Sequence, residues 1–165
     1  MTEAEMLASL EGLGIVVSVA EHEAVFTVEE SAALHDRIPG VHTKNLFLKD
    51  VGGRFWLVTV AAALRVDLKA LAPAMGAKKL SFGNAEAMAA LLGVTPGAVT
   101  PLAACNDSDC AVTVVIDAAV AAAETTCVHP LRNTATLSLP GADLLRALAR
   151  WNHPALVIAV PARAD

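Results

Sequence analysis

Two stretches rich in apolar residues, joined by Gly52-Gly53, constrain the fold more than any other feature of the sequence. Residues 41–50 begin directly after a Pro-Gly pair, and residues 54–61 follow the two glycines, which are typical of a tight hairpin turn. Side chains alternate between the two faces of a strand. We therefore expect one face of the first strand to carry Lys44, Leu46 and Leu48, and the other face to carry Asn45, Phe47 and Lys49.

Lys44 is the unusual residue of this strand, because it shares the face of the leucines. A lysine against an apolar face must extend its ammonium group to solvent, pair with an anion or lose its proton. Taken alone, Lys44 is interpreted as an edge lysine that reaches solvent. Two later segments of the sequence favour a functional role instead.

Composition bounds the class of protein. A chain of 165 residues with 55% hydrophobic and 18% charged residues has the size and apolar content of one well-buried domain. Its apolar stretches are interrupted before the roughly 20 residues that a membrane span needs, and its acidic N-terminus is unlike a signal peptide, so we expect a cytoplasmic protein. A net charge of −5 argues against non-specific binding of polyanions, and three cysteines do not indicate a disulfide framework.

The remaining patterns alternate irregularly between helix and strand. Helices are predicted near residues 2–12, 28–35, 68–75, 85–92 and 141–151, and further strands near residues 15–20, 111–116, 125–129, 134–139 and 155–160. Thr27, Asp67 and Asn84 are predicted N-caps. The irregular order favours a mixed α/β fold with a mixed or antiparallel sheet, and neither a Rossmann glycine motif nor a Walker loop is present.

Three segments, taken in order, resemble a known family. They are Lys44-Asn45-Leu46-Phe47-Leu48, Gly97-Ala98-Val99-Thr100-Pro101, and the run from Val128-His129-Pro130 to residues 134–139. Together they resemble the aminoacyl-tRNA editing family that includes the YbaK-type Cys-tRNA(Pro) deacylases and the insertion domain of bacterial prolyl-tRNA synthetases. The resemblance is strongest to the free-standing deacylases of Ala-tRNA(Pro) and covers nearly the whole chain, so residues 1–165 are expected to form a single editing domain.

The resemblance implies both a fold and an activity. The fold would be a curved, barrel-like mixed sheet surrounded by helices. The activity would be hydrolysis of the ester in mischarged Ala-tRNA(Pro), assisted by the substrate's own 2′-hydroxyl and without a metal or cofactor. The partners would be the acceptor end of tRNA(Pro) and, transiently, prolyl-tRNA synthetase or elongation factor, with no membrane or DNA involved.

Site residues follow from the same resemblance. Lys44, Gly97 and His129 match the family's active-site positions, and Asn45, Thr100 and Pro101 match substrate-binding positions. A glycine lets the backbone approach a ligand closely, so the segment 97–101 could present amides to a developing oxyanion. His129 before Pro130 is also explained by a simple strand end, and the other histidines, His22, His35, His42 and His153, are interpreted as surface or loop residues.

Selectivity for alanine over proline would come from pocket size, because walls exclude a larger ligand better than they favour a smaller one. From strand positions, the candidate wall residues are Ile38, Leu57, Val60 and Phe82. Candidate tRNA contacts are the basic residues Lys49, Lys78, Lys79 and Arg132.

Four alternatives remain open from the sequence. A Cys-tRNA(Pro) deacylase would use the same lysine with a different pocket, and a non-catalytic binder of aminoacyl-tRNA would use the same lysine and loop. A thiol redox enzyme would use Cys105 and Cys110, although no C-x-x-C is present. A metal site would use Cys105, Asp107, Asp109 and Cys110, although their spacing is irregular.

Overall fold

A computed structural model describes residues 1–25 and 27–164 of the chain. In this part of the chain the strands are β1 (Ser18–Glu21), β2 (Val41–Asp50), β3 (Phe55–Ala61), β4 (Leu80–Phe82), β5 (Val112–Asp117), β6 (Thr126–Val128), β7 (Ala135–Leu139) and β8 (Leu156–Ile158). The helices are α1 (Glu3–Gly12), α2 (Val28–Arg37), α3 (Leu68–Met75), α4 (Ala85–Leu92), α5 (Ala118–Ala121) and α6 (Gly141–Arg150).

The strands form one mixed sheet, which confirms the predicted mixed α/β fold. Their order is β1-β7-β6-β2-β3-β5-β8, with β4 also paired to β2. The pairs β2–β6, β3–β5 and β5–β8 are parallel, and the pairs β1–β7, β2–β3, β2–β4 and β6–β7 are antiparallel. β1 and β8 are the two ends of this path.

The long strand β2 joins the two halves of the sheet. Residues 43–49 pair with β3 along one edge. On the other edge, Val41 and His42 pair with β6 at one end, and residues 48–50 pair with β4 at the other. The middle of β2, which carries Lys44 and Asn45, therefore lies between the ends of two neighbouring strands.

The hairpin of β2 and β3 has the two faces that the sequence predicts. Phe47 packs with Leu57 in a core cluster covered by α4, and Leu48 packs with Trp56 in a second cluster covered by α3. The predicted N-caps are also confirmed, because the side chains of Thr27, Asp67 and Asn84 each accept a hydrogen bond from a backbone amide in the first turn of their helix.

Some local predictions differ from the structure. The strand expected from residue 15 begins only at Ser18, because Ile15 instead packs against α1 in the core. A complete capping box forms at Thr2 and Glu5, which the sequence patterns above do not single out. The loop 93–101 contains a short 3₁₀ turn, Pro96–Ala98, and a second turn, Pro101–Asn106, follows it. Within the described ranges, every helix is too short or too polar to cross a bilayer.

Candidate functional site

An open groove of about 620 Å³ lies between α2, the start of β2 and the ends of β6 and β7. This size is within the usual range of small-ligand sites. Its polar lining comes from Thr27, Ser31, His35, His42, Thr43, Lys44, Asn45, His129 and Thr136. Its apolar lining is mostly small and comes from Val25, Ala32, Leu34, Ala62, Ala63, Cys127 and Val128.

Lys44 lies half-buried at the wall of this groove, opposite Val60 in the β2–β3 register. Among residues 1–25 and 27–164, ion pairs form at Arg132, Arg146 and His153, and none involves Lys44. A half-buried ammonium group without a carboxylate partner can bind an anionic or carbonyl-rich ligand without first breaking an internal ion pair.

Asn45 connects the groove to the segment 97–101. Its Nδ2 donates to the carbonyl oxygen of Val99 at 2.9 Å, and its Oδ1 accepts from the hydroxyl of Thr59 at 2.6 Å. Two of the three segments that carry the family resemblance, although 54 residues apart at this contact, therefore meet at one side chain.

The segment 97–101 lies next to the groove through the contact of Val99 with Asn45, but its residues are not among the groove lining. Thr100 is fully buried, and its hydroxyl accepts from the amide of Leu102 at 3.3 Å, while Pro101 is buried at the start of the next turn. Gly97 is exposed, and a Cβ at this position would lie 3.1 Å from Nδ2 of Asn133. Thr100 and Pro101 therefore stabilise the conformation of the loop. Gly97 lies beside Asn133, in the segment that follows His129.

His129 lines the groove from the end of β6. Its Nδ1 lies 3.3 Å from the carbonyl oxygen of Ala135. Burial lowers the pKa of His129, the hydrogen bond to Ala135 opposes this, and the nearby His22 lowers the pKa further. Since an ordinary histidine has a pKa of about 6.5, the ring is mainly neutral at pH 7. The ring of His22 is held in turn by Thr136 of the groove lining, whose hydroxyl lies 2.8 Å from Nε2 of His22.

His35 and His42 also line the groove. His35 is exposed, as its interpretation as a surface residue predicts, whereas His42 is half-buried on β2, which corrects its interpretation as a surface or loop residue. The two rings stack with centroids 4.1 Å apart, and Nε2 of His42 is 2.7 Å from the carbonyl oxygen of Ile38. Burial lowers the pKa of His35, and the charge of His42 lowers it further. One sequence signal was available, because His42 lies two residues before Lys44 and therefore on the same strand face.

The predicted wall residues do not line the groove. Leu57 and Val60 are fully buried in the core clusters on opposite faces of β3, because helices and loops cover both faces of this strand. Ile38 is buried under α2 beside Leu34, and Leu34 lines the groove instead. Phe82 is 63% exposed at the end of β4, which pairs with the far end of β2.

The predicted tRNA contacts separate into two groups. Lys49 is exposed at the far end of β2, opposite Ser81, and Lys78 and Lys79 are exposed just before β4 at the same end. Arg132 instead donates to Glu3 at 3.0 Å and to Glu21 at 2.6 and 2.7 Å. Its guanidinium group is occupied by two carboxylates, so the structure does not support a tRNA contact at Arg132.

The cysteine and aspartate residues of the alternative sites have other surroundings. Cys105, Cys110 and Cys127 are free thiols, and burial raises the pKa of Cys105 and of Cys127. A raised pKa disfavours the reactive thiolate, which weakens the redox interpretation.

Asp107, a residue of the alternative metal site, stabilises the fold instead. Its carboxylate accepts from the amides of Ala111 and Val112 and contacts Nε2 of buried His153. His153 lies in the loop between α6 and β8, as predicted, but it is buried there rather than at the surface.

The sequence profile of the aminoacyl-tRNA editing domain matches residues 22–147. The chain belongs to the aminoacyl-tRNA editing family. The matched range includes α2, the β2–β3 hairpin and His129, so this editing domain has its groove inside the matched range.

Two curated relatives also support the assignment of this chain to the aminoacyl-tRNA editing family. The prolyl-tRNA synthetase associated domain-containing protein 1 of Bos taurus is 38% identical, covering 96% of this chain and 97% of the relative. The prolyl-tRNA editing protein ProX of Acetoanaerobium sticklandii is 36% identical, covering 84% and 85%. A crystal structure of a candidate trans-editing enzyme for prolyl-tRNA synthetase superposes with a TM-score of 0.74 at 20% identity, covering 99% of both chains, which shows the shared fold.

Proposed function

We propose that this editing domain hydrolyses mischarged Ala-tRNA(Pro) and spares Pro-tRNA(Pro). The observation that carries the proposal is Lys44, whose ammonium group has no carboxylate partner in the described part of the chain and lies at a groove of suitable size. Two relatives, whose names refer to prolyl-tRNA editing and to prolyl-tRNA synthetase, support tRNA(Pro) as the carrier.

The groove supports selection by size. Ala32, Ala62 and Ala63 contribute short side chains to it, and Val25 and Leu34 contribute branched ones. The proposal assigns the exclusion to the branched side chains of Val25 and Leu34, which the pyrrolidine ring of proline would overlap and the methyl group of alanine would not. Exclusion by overlap discriminates more strongly than the ~1–3 kcal/mol that one methylene contributes by favourable packing.

The proposed reaction is an ester hydrolysis. A water oxygen forms a bond to the carbonyl carbon of the alanyl group, the bond from that carbon to the ribose 3′-oxygen breaks, and the ribose oxygen takes a proton. The substrate's 2′-hydroxyl orients the water, Lys44 binds the terminal phosphate or ribose, and neutral His129 offers a further polar contact. Amides of the segment that begins at Gly97, held beside the groove by Asn45, are the proposed donors to the oxyanion.

Lys49, Lys78 and Lys79 are the proposed contacts to the acceptor stem. Lys49 lies about 16 Å along β2 from Lys44, at a rise of about 3.3 Å per residue, and Lys78 and Lys79 lie just before β4 at the same end, so the three lysines can meet the duplex while the terminal adenosine enters the groove. Because the net charge of the chain is −5, this binding should be weak and sensitive to salt. Transient association with prolyl-tRNA synthetase or elongation factor, in the cytoplasm, belongs to the same proposal.

The test is single-turnover deacylation of Ala-tRNA(Pro), Pro-tRNA(Pro) and Cys-tRNA(Pro) by the wild type and Lys44→Ala. Lys69→Ala is the matched control, because Lys69 is an exposed lysine of α3 outside the groove lining. We expect rapid loss of alanine alone, a decrease of at least ~100-fold in Lys44→Ala and no change in Lys69→Ala. Preference for the cysteinyl ester would assign the chain to the alternative deacylase, and absence of hydrolysis would overturn the proposed function.

A further inference from the structure

Thr59 is a polar residue inside an apolar strand, and its side chain is completely buried. Leu57, which shares its face of β3, is also completely buried, and valine has nearly the same shape as threonine, so valine would fit position 59. A buried hydroxyl is unfavourable unless it makes a hydrogen bond. The partner of this hydroxyl therefore indicates what the threonine contributes.

The hydroxyl of Thr59 donates to Oδ1 of Asn45 at 2.6 Å, directly across the β2–β3 pair. On its other side, Nδ2 of Asn45 donates to the carbonyl oxygen of Val99 at 2.9 Å. A side-chain amide has one acceptor oxygen and one donor nitrogen. The carbonyl oxygen of Val99 can only accept, so it selects the orientation of the amide, and in that orientation Oδ1 faces the hydroxyl of Thr59 and accepts from it.

We infer that Thr59 is a positioning residue for hydrolysis, because it fixes the amide of Asn45 at the groove wall. The inference rests on the proposed function and concerns the same groove. Asn45 is a residue of the groove lining, and the two contacts leave one N–H and one lone pair of its amide unused. The same amide holds Val99, so Thr59 also fixes the distance between the groove and the loop that begins at Gly97.

Loss of the hydroxyl leaves Asn45 with one anchor instead of two. Its Oδ1 then lacks a donor on the core side, and the amide can rotate or bind a ligand group in a second orientation. A displacement of about 1 Å in a group that orients the substrate can lower a rate by up to ~100-fold. Binding of the tRNA, which depends on contacts outside this pair, should change little.

The experiment compares Thr59→Val, which removes the hydroxyl, with Thr59→Ser, which keeps it. Single-turnover deacylation of Ala-tRNA(Pro) at varied protein concentration separates the rate constant at saturation from the half-saturating concentration. We expect Thr59→Val to lower the rate constant by ~10–100-fold and to leave the half-saturating concentration within about threefold. Thr59→Ser should stay within about threefold of the wild type in both. Thr59→Ala is a second deletion of the hydroxyl, with the same expected loss.

An NMR spectrum of the protein without substrate gives the readout that a purely structural role would not change. The two side-chain amide signals of Asn45 should keep their wild-type shifts in Thr59→Ser and move in Thr59→Val. Full activity in Thr59→Val, or an equal loss in Thr59→Ser, would overturn the inference. If the wild type hydrolyses none of the three esters, the proposed function is wrong, and the amide signals still decide whether Thr59 orients Asn45.

Discussion

The rings of His35 and His42 stack 4.1 Å apart with 24° between their planes, and both line the groove that contains Lys44. The contact joins the last turn of α2 to the start of β2, across the turn at Pro39-Gly40. Burial lowers the pKa of His35, and the neighbouring charge of His42 lowers it further. The stack is therefore more favourable when at least one ring is neutral.

Replacing His42 by phenylalanine should separate these two causes. His42→Phe keeps an aromatic ring over His35 and most of its burial, but removes the second positive charge. We expect the pKa of His35 to rise in this variant and to remain below its ordinary value of about 6.5, because burial is the larger cause. NMR titration of the His35 ring protons checks this, and an unchanged pKa would show that the charge of His42 has no effect.

Acidification should lower the free energy of unfolding through protonation of His129. Burial lowers the pKa of His129 in the folded state, so the unfolded chain binds more protons once the pH falls below about 6.5. The contribution of the neutral ring to stability is therefore complete above that pH and decreases as the pH falls through the folded-state pKa. Urea unfolding at pH 7.5 and 5.5 should show a smaller loss in His129→Gln than in the wild type. Lys69→Ala should show the wild-type loss.

Gly97 should tolerate a methyl group only if Asn133 moves. A Cβ at position 97 would lie 3.1 Å from Nδ2 of Asn133, which is closer than ordinary van der Waals contact. We expect Gly97→Ala to lower single-turnover deacylation by about tenfold and to change the free energy of unfolding by less than about 1 kcal/mol. Adding Asn133→Ala removes the clash, so the double variant should match Asn133→Ala alone. A double variant as slow as Gly97→Ala would place the cause in the backbone of the loop.

The sequence predicted the local elements better than their surroundings. The β2–β3 hairpin and the caps at Asp67 and Asn84 depend on neighbouring residues, and the structure confirms them. Leu57, predicted as a wall residue, lies outside the groove lining because β3 is covered on both faces, which the mainly apolar run Phe55–Ala61 could have indicated.

Contacts between distant segments account for the remaining differences. Arg132 is occupied by Glu3 and Glu21, which lie 129 and 111 residues away, and no local pattern shows that these carboxylates meet it. The approach of His35 to His42 likewise depends on how α2 folds back after the turn. Lys44, Asn45 and His129 were predicted from the resemblance, and all three residues line one groove, where their roles in hydrolysis stay a prediction.

Asp107 should be essential for stability. It is 4% exposed, accepts from the amides of Ala111 and Val112 at 3.1 and 2.8 Å, and lies 3.0 Å from Nε2 of His153. Asp107→Ala leaves these donors without a partner, and each such group costs ~1–3 kcal/mol. We expect the free energy of unfolding, measured by urea denaturation, to decrease by about 3 kcal/mol or more. The exposed Asp109→Ala is the control, for which a change beyond about 0.5 kcal/mol would contradict the explanation.

Gly141 begins α6 where no side chain fits. A Cβ there would lie 2.3 Å from the carbonyl oxygen of Val120 and 2.5 Å from that of Ala121. Both are backbone atoms, so a rotamer change cannot relieve the overlap, and α6 must move away from α5. We expect Gly141→Ala to lower the free energy of unfolding by about 2–3 kcal/mol, as overpacking does in other cores.

Gly12→Ala is the matched control for this substitution, because a Cβ at Gly12 would meet no atom within 4 Å, and Gly12 ends α1. Alanine has the higher helix propensity, so Gly12→Ala should leave stability unchanged or raise it by up to ~1 kcal/mol. The groove is lined by α2, β2, β6 and β7 rather than by α6, so Gly141→Ala that remains folded should keep the wild-type deacylation rate. Equal stability of the two glycine variants would show that α6 shifts at no cost.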